Sequence, residues 1–164
     1  MVSPASVAKH PIHAMLVVFP IGLWVLSFVM DLIYYFEAGT EIWNTVALYT
    51  MVGGIIGALA AAVPGFIDFL SLSGRRKRIA TIHMSINLSL VALFIINSAL
   101  RITGTSVVPG PIILSLIGVI FLGISGWLGG ELVYVHGTAV EPCPEEPEGL
   151  EGTLRGSQYQ DVPA

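Results

Sequence analysis

The first long apolar run of the chain covers residues 12–36 and reads IHAMLVVFPIGLWVLSFVMDLIYYF, with Asp31 as its one charged residue. A helix needs about 20 apolar residues, each rising about 1.5 Å, to cross the hydrocarbon core of a bilayer. Runs of this kind occur four times, so the sequence predicts four membrane-spanning helices. Their predicted ranges are 12–36, 43–70, 79–100 and 111–135.

The composition agrees with a membrane protein, because the 164 residues are 54% hydrophobic and only 11% charged. Short connections between the spans predict an all-α integral membrane four-helix bundle over residues 1–140. Residues 141–164 are rich in Glu, Pro and Gly and predict an extended or disordered acidic tail. The tail holds Cys143, the one cysteine, so cofactor ligands within the chain must come from histidine, carboxylate or backbone.

The basic residues predict the orientation of the chain. Lys9 and the run from Arg75 to Arg78 lie on the side of the termini, and Arg101 lies opposite. Loops rich in Lys and Arg face the cytoplasm, so we expect both termini there. A net charge of −4 with one short basic run excludes a nucleic-acid backbone as a partner and leaves the lipid bilayer as the expected one.

Small residues spaced four apart predict where the helices pack closely, because close backbone approach supplies the contact between helices in lipid. Pro20 and Pro64 fall within predicted spans, where each removes a backbone donor and can kink its helix. The predicted packing residues are Gly53, Gly57, Ala58 and Ala62 in the second span, and Gly126 and Gly130 in the fourth.

All four histidines fall on the membrane face that carries the termini. His10 and His13 begin the first span, His83 lies about one turn into the third, and His136 ends the fourth. Polar groups at membrane depth are costly and usually mark function. Three further polar residues reach this level: Asp68, Asn87 and Glu131.

The first hypothesis for this face is a b-type haem whose iron is bound axially by His83 and by one of His10, His13 and His136. Nearby basic residues would pair with the haem propionates, and nearby polar residues would orient an imidazole. The propionate partners would be Arg75, Arg76 and Arg78, with Lys77 beside them, and the orienting residues would be Asp68, Asn87 and Glu131.

Two other hypotheses stay open. In one, His13, His83 and His136 hold a single zinc or iron ion together with Asp68 or Glu131. In the other, the histidines only hydrogen-bond the backbone and neighbouring helices. The sequence contains neither a His-Glu-x-x-His motif nor a Gly-x-Ser-x-Gly motif, so we expect an electron carrier or a subunit rather than a stand-alone enzyme.

Two motifs resemble a known family. The opening motif is His-Pro-Ile-His at residues 10–13 with Phe-Pro-Ile-Gly-Leu at 19–23, and the closing motif is Gly-Trp-Leu-Gly-Gly-Glu-Leu-Val-Tyr at 126–134 followed by His136 and Gly137. Over about residues 8–140, with His83 in the third span, the chain is similar to the membrane proteins named domain of unknown function 2231. The resemblance implies four spans in a bacterial inner membrane. It also implies a setting in electron transfer, because some relatives are joined to Rieske-type iron–sulfur domains.

The alternative function is a cofactor-free accessory subunit of a larger respiratory or photosynthetic membrane complex. Such a subunit would dock through its helix surfaces and through the acidic tail, residues 141–164. Both hypotheses imply a partner in the membrane, either other protein subunits or a redox partner.

Overall fold

The computed structural model describes residues 3–37, 40–104 and 110–140. Four helical spans, each long and apolar enough to cross a membrane, confirm the all-α four-span architecture. The predicted tail at 141–164, with Cys143, lies outside the described residues. The helices are α1 (Ile12–Leu16), α2 (Val18–Phe36), α3 (Glu41–Leu70), α4 (Gly74–Ile102) and α5 (Gly110–Gly130), and a π-helical turn, Glu131–Val135, continues α5.

A short hairpin precedes the first span. Its strands are β1 (Ser6–Val7) and β2 (His10–Pro11), and Val7 pairs with His10. Ala8 and Lys9 form the turn with φ of 47° and 69°, a backbone region in which non-glycine residues are uncommon. The hairpin therefore places His10 outside the helix that carries His13.

The helix that contains the third predicted span begins before that span. Helix α4 starts at Gly74 rather than at residue 79, so the basic run Arg75–Arg78 forms its first turn. Ser73 before it has the extended backbone of an N-cap residue, with φ −141° and ψ 163°. The two ranges differ because charges mark where the apolar membrane core ends, whereas a helix continues into the interface.

The two prolines affect their helices differently. The first span divides at Val17, between α1 and α2, and Pro20 cannot donate a hydrogen bond to the Leu16 carbonyl just before that division. Pro64 lies inside α3, which continues through it without interruption.

The helices surround a small apolar core at mid-membrane. Helices α2 and α4 each pack against both α3 and α5, so α2 and α4 occupy one diagonal of the bundle. Across this diagonal Trp24 stacks on Phe94, with ring centres 4.4 Å apart. The buried members of the core are Trp24, Met51, Leu90, Phe94 and Leu122.

Glycines allow this close packing, but only partly those that the sequence predicted. Gly53 and Gly57 contact α2, as expected. A methyl group at Gly126 would meet no atom within 4 Å, and one at Gly130 would meet only Tyr134. The prediction for the fourth span was therefore wrong. The glycine that contacts the core there is Gly118, beneath the Phe94 ring.

Candidate functional site

His13 and His83 meet across the diagonal of the bundle at the end that carries the termini. Their ring centres are 6.5 Å apart and their planes are at 86° to each other. His13 belongs to α1 and His83 to α4, so the two imidazoles come from the two halves of the chain. Of the four histidines that the sequence places at this face, these two form a pair.

Each ring of the pair is fixed by a backbone carbonyl on a neighbouring helix. Nδ1 of His13 lies 2.8 Å from the carbonyl oxygen of Ala61 in α3, and Nδ1 of His83 lies 2.9 Å from that of Ser125 in α5. A carbonyl oxygen only accepts, so each Nδ1 must carry the proton and donate it. Each Nε2 is then left with a lone pair, which is the arrangement of a histidine that ligates a metal.

Asn87 completes the surroundings of His83, as the sequence predicted from their spacing. Its amide nitrogen donates to Ser125 Oγ at 2.7 Å and to the His83 carbonyl at 2.8 Å. Nε2 of His83 lies farther from the same nitrogen, at 3.2 Å. The Asn87 amide therefore borders His83 on the side of the ring nitrogen that carries the lone pair.

Both imidazoles lie directly against glycine. A methyl group at Gly65 would lie 2.6 Å from Nδ1 of His13, and one at Gly129 would lie 3.3 Å from Cε1 of His83. The residues of α3 and α5 that hold the rings are thus Ala61, Gly65, Ser125 and Gly129. Small residues here let the two rings contact helix backbone.

The other two histidines do not join the pair. His10 is exposed on β2, and its Nδ1 donates to the carbonyl of Ala8 at 2.8 Å. His136 follows the π-helical turn, and its Nε2 lies 3.7 Å from Oε1 of Glu131. Among the described residues no group of three or more His, Cys, Asp or Glu could hold a metal ion, so the structure does not assemble the three-histidine site.

Asp68 has a different partner from the one predicted. Its Oδ1 accepts from Ser3 Oγ at 2.6 Å and from the Ala5 backbone at 3.1 Å. The carboxylate thereby ties the N-terminal segment to the end of α3. Within the described ranges, no hydrogen bond joins it to an imidazole.

The basic run lies close to the pair along the third span. Arg75 and Arg78 are exposed and Arg76 is half-buried, while Lys77 lies over the Phe69 ring, 5.2 Å from its centre. Arg76 precedes His83 by seven residues, which is about 10 Å along a helix. These cations therefore border the histidine end of the bundle.

The opposite end of the bundle contains a buried ion pair that the sequence reading did not single out. Nη2 of Arg101 lies 2.8 Å from Asp31, and their side chains are only 4% and 1% exposed. Ser115 donates to the same carboxylate at 2.6 Å, and Arg101 donates to Asn44 at 2.9 Å and to Asn97 at 3.2 Å.

This second polar cluster borders a cavity of about 290 Å³. The sequence carries a signal for this ion pair, because residues of opposite charge lie at the same depth in two spans. Asp31 stands 18 residues after His13, and Arg101 stands 18 residues after His83. The apolar core around the Trp24–Phe94 stack separates this cluster from the histidine pair.

The chain matches a known family of membrane proteins. The family model described as "Predicted membrane protein (DUF2231)" matches residues 9–142. No curated protein and no solved structure matches the chain. The matched range includes both histidines of the pair and the buried ion pair.

Proposed function

The chain belongs to the DUF2231 family of predicted membrane proteins, and we propose that it binds b-type haem between its two halves and transfers electrons in the membrane. His13 and His83 would hold the haem iron in this proposal. The observation that carries it is their pairing, with ring centres 6.5 Å apart. A metal–nitrogen bond to histidine is about 2.0–2.1 Å long, so rings at this separation could both contribute a nitrogen to one metal ion.

The surroundings of the pair fit axial ligation. A ligating histidine usually donates its second ring nitrogen to a carbonyl or carboxylate, which fixes the ring and raises its basicity. His13 and His83 donate in this way to Ala61 and Ser125. Gly65 and Gly129 bring helix backbone, rather than side chains, against the two rings.

The haem would supply one-electron chemistry at its iron. The residues of this chain hold the two imidazoles, and Asn87 keeps Ser125 and His83 in register by donating to both. Arg76, with Arg75 and Arg78 more exposed beside it, supplies positive charge for the two propionates. The apolar core excludes water from the bundle beyond the pair.

The proposal includes an orientation. With both termini in the cytoplasm of a bacterium, the pair and the basic run lie at the cytoplasmic face of the inner membrane. A redox partner that exchanges electrons with the site would therefore approach from that side or from a neighbouring subunit.

The test is a reduced-minus-oxidised visible spectrum of purified protein, produced with sufficient haem supply. We expect a b-type spectrum in the wild type, and we expect its loss in His13→Ala and in His83→Ala. His10→Ala and His136→Ala are the matched controls and should keep it, because the structure places both outside the pair.

Either of two results would refute the proposal. One is a wild-type protein that is folded and monodisperse but carries no haem. The other is a haem spectrum that survives in both His13→Ala and His83→Ala.

A further inference from the structure

The two halves of the chain repeat one another contact by contact. Each half is a helical hairpin: the first hairpin consists of α1, α2 and α3, and the second consists of α4, α5 and the π-helical turn. His13 and His83, which differ by 70 in number, donate to Ala61 and Ser125, which differ by 64. The offset of 64 also relates Gly65 to Gly129, the glycines that lie against the two rings.

The repeat continues through the apolar core. Trp24 packs against Gly54, and Phe94 packs against Gly118, again with offsets of 70 and 64. One turn farther along, Ser27 donates to the Ala47 carbonyl at 2.8 Å, and Asn97 donates to the Pro111 carbonyl at 3.1 Å. These matches occur although the two hairpins share few identical residues.

Equivalent residues also contact each other between the hairpins. His13 faces His83, Trp24 stacks on Phe94 and Asp31 pairs with Arg101, and each pair differs by 70. A residue meets its own equivalent only on a two-fold axis. The first helices of both hairpins cross in the same direction, so this axis runs along the membrane normal.

The spacing along the first and third spans agrees with such an axis. Residues 13, 24 and 31 are separated by 11 and 7 positions, as are 83, 94 and 101. At 3.6 residues per turn, these separations are close to three and two whole turns. One face of each helix therefore follows the axis across the membrane.

We infer that the chain consists of two hairpins related by a pseudo-two-fold axis, and that the buried Asp31–Arg101 pair makes each hairpin dock on the opposite hairpin rather than on a copy of itself. Two first hairpins in this arrangement would bury Asp31 against Asp31, and two second hairpins would bury Arg101 against Arg101. Like charges at such a contact are strongly unfavourable. The inference rests on the packing of the whole bundle and is independent of any haem.

The groups around the ion pair can hydrogen-bond to an aspartate or to an arginine at either position, 31 or 101. Asn44, Asn97 and Ser115 surround it, and amide and hydroxyl groups both donate and accept hydrogen bonds. If positions 31 and 101 are equivalent, exchanging the two residues restores the pair, whereas either single change reproduces the like-charge contact of a mispaired hairpin.

The experiment measures monodisperse full-length protein in detergent for Asp31→Arg, Arg101→Asp and the double variant. We expect the yield of monodisperse protein to be lower by roughly ten-fold or more in each single variant, because a buried like-charge pair replaces an ion pair. In the double variant the yield should be within roughly three-fold of wild type. Lys9→Asp, an equal change of charge at an exposed position in the turn between β1 and β2, is the control and should match wild type.

A double variant as depleted as the single variants would overturn the inference, as would a single variant with wild-type yield. A second exchange tests the axis without charge. The double variant Trp24→Phe, Phe94→Trp conserves side-chain volume. Trp24 Nε1 donates to the Met51 carbonyl oxygen at 3.2 Å, and the new indole at position 94 should donate in the same way to the Ser115 carbonyl oxygen. Loss of monodisperse protein in this variant would also contradict the two-fold relation.

Discussion

Replacing Gly65 with alanine should displace the His13 ring and destabilise the bundle. The added methyl group would lie 2.6 Å from Nδ1 of His13, well inside van der Waals contact. Helix α3 is continuous here and is held by its own hydrogen bonds, so the imidazole must move. A separation of 3.4 Å, where ordinary contact begins, requires a shift of about 0.8 Å.

The size of the effect follows from what that shift costs. The hydrogen bond from His13 to Ala61 is 2.8 Å long, and moving the ring away by this amount breaks it. The lost bond costs about 1 kcal/mol and the overpacking about 1–3 kcal/mol, while alanine in place of glycine returns about 0.5–1 kcal/mol of helix stability. The net loss is about 1–3 kcal/mol in the free energy of unfolding.

The chain offers graded controls for this substitution. A methyl group at Gly129 would approach His83 only to 3.3 Å, so Gly129→Ala should cost less than Gly65→Ala. Gly126→Ala adds a methyl group with no atom within 4 Å and should be neutral or slightly stabilising. Unfolding in mixed micelles, followed by circular dichroism, gives the order. If Gly65→Ala proved as stable as Gly126→Ala, the packing of His13 against α3 would be refuted.

Three further predictions concern other parts of the chain. Asp68→Ala removes the carboxylate that accepts hydrogen bonds from Ser3 and Ala5. Trypsin should then cleave after the exposed Lys9 roughly ten-fold faster or more, because the N-terminal segment is no longer held. An unchanged cleavage rate would mean that Asp68 does not hold this segment. In a Cys143→Ser background, Ser73→Cys should be protected from an impermeant maleimide in intact cells and Thr40→Cys should be labelled, and the reverse pattern would invert the orientation. Deleting residues 141–164 should leave any haem spectrum unchanged, because both proposed ligands lie in the bundle, and co-purification of membrane proteins with the two forms tests the docking function of the tail.

The spans and the level of the histidines could be predicted because they depend on length alone. Hydrocarbon thickness sets the number of apolar residues in a crossing, whatever the helices pack against. Each crossing reverses direction, so the ends of four spans place His13, His83 and His136 at one face. The choice among them could not be predicted, because it depends on helix rotation and on local backbone. The β1–β2 hairpin keeps His10 outside the first span and away from His83, and the π-helical turn sets the position of His136.

The buried ion pair was not predicted because Asp31 and Arg101 also lie near the far ends of two spans, where charged residues are expected without any partner. Only their equal distance from His13 and His83 indicates that they face each other. The prediction from glycine spacing in the fourth span was wrong for a related reason. Such spacing shows that close approach of helices is possible, but it does not show which face of the helix lies inside the bundle.

The pairs along the axis also explain how a bundle with a small interior keeps one register. In each span, only 22–28% of the most apolar stretch is buried inside the protein, so most of the apolar surface faces lipid and does not select a packing. His13, Trp24 and Asp31 lie on one face of the first span, and each meets its equivalent in the third. A slip of one residue would rotate that face by about 100° and separate all three pairs together. The register is therefore set by a stack, a histidine pair and an ion pair acting jointly, and weakening one of them should loosen the alignment of the other two.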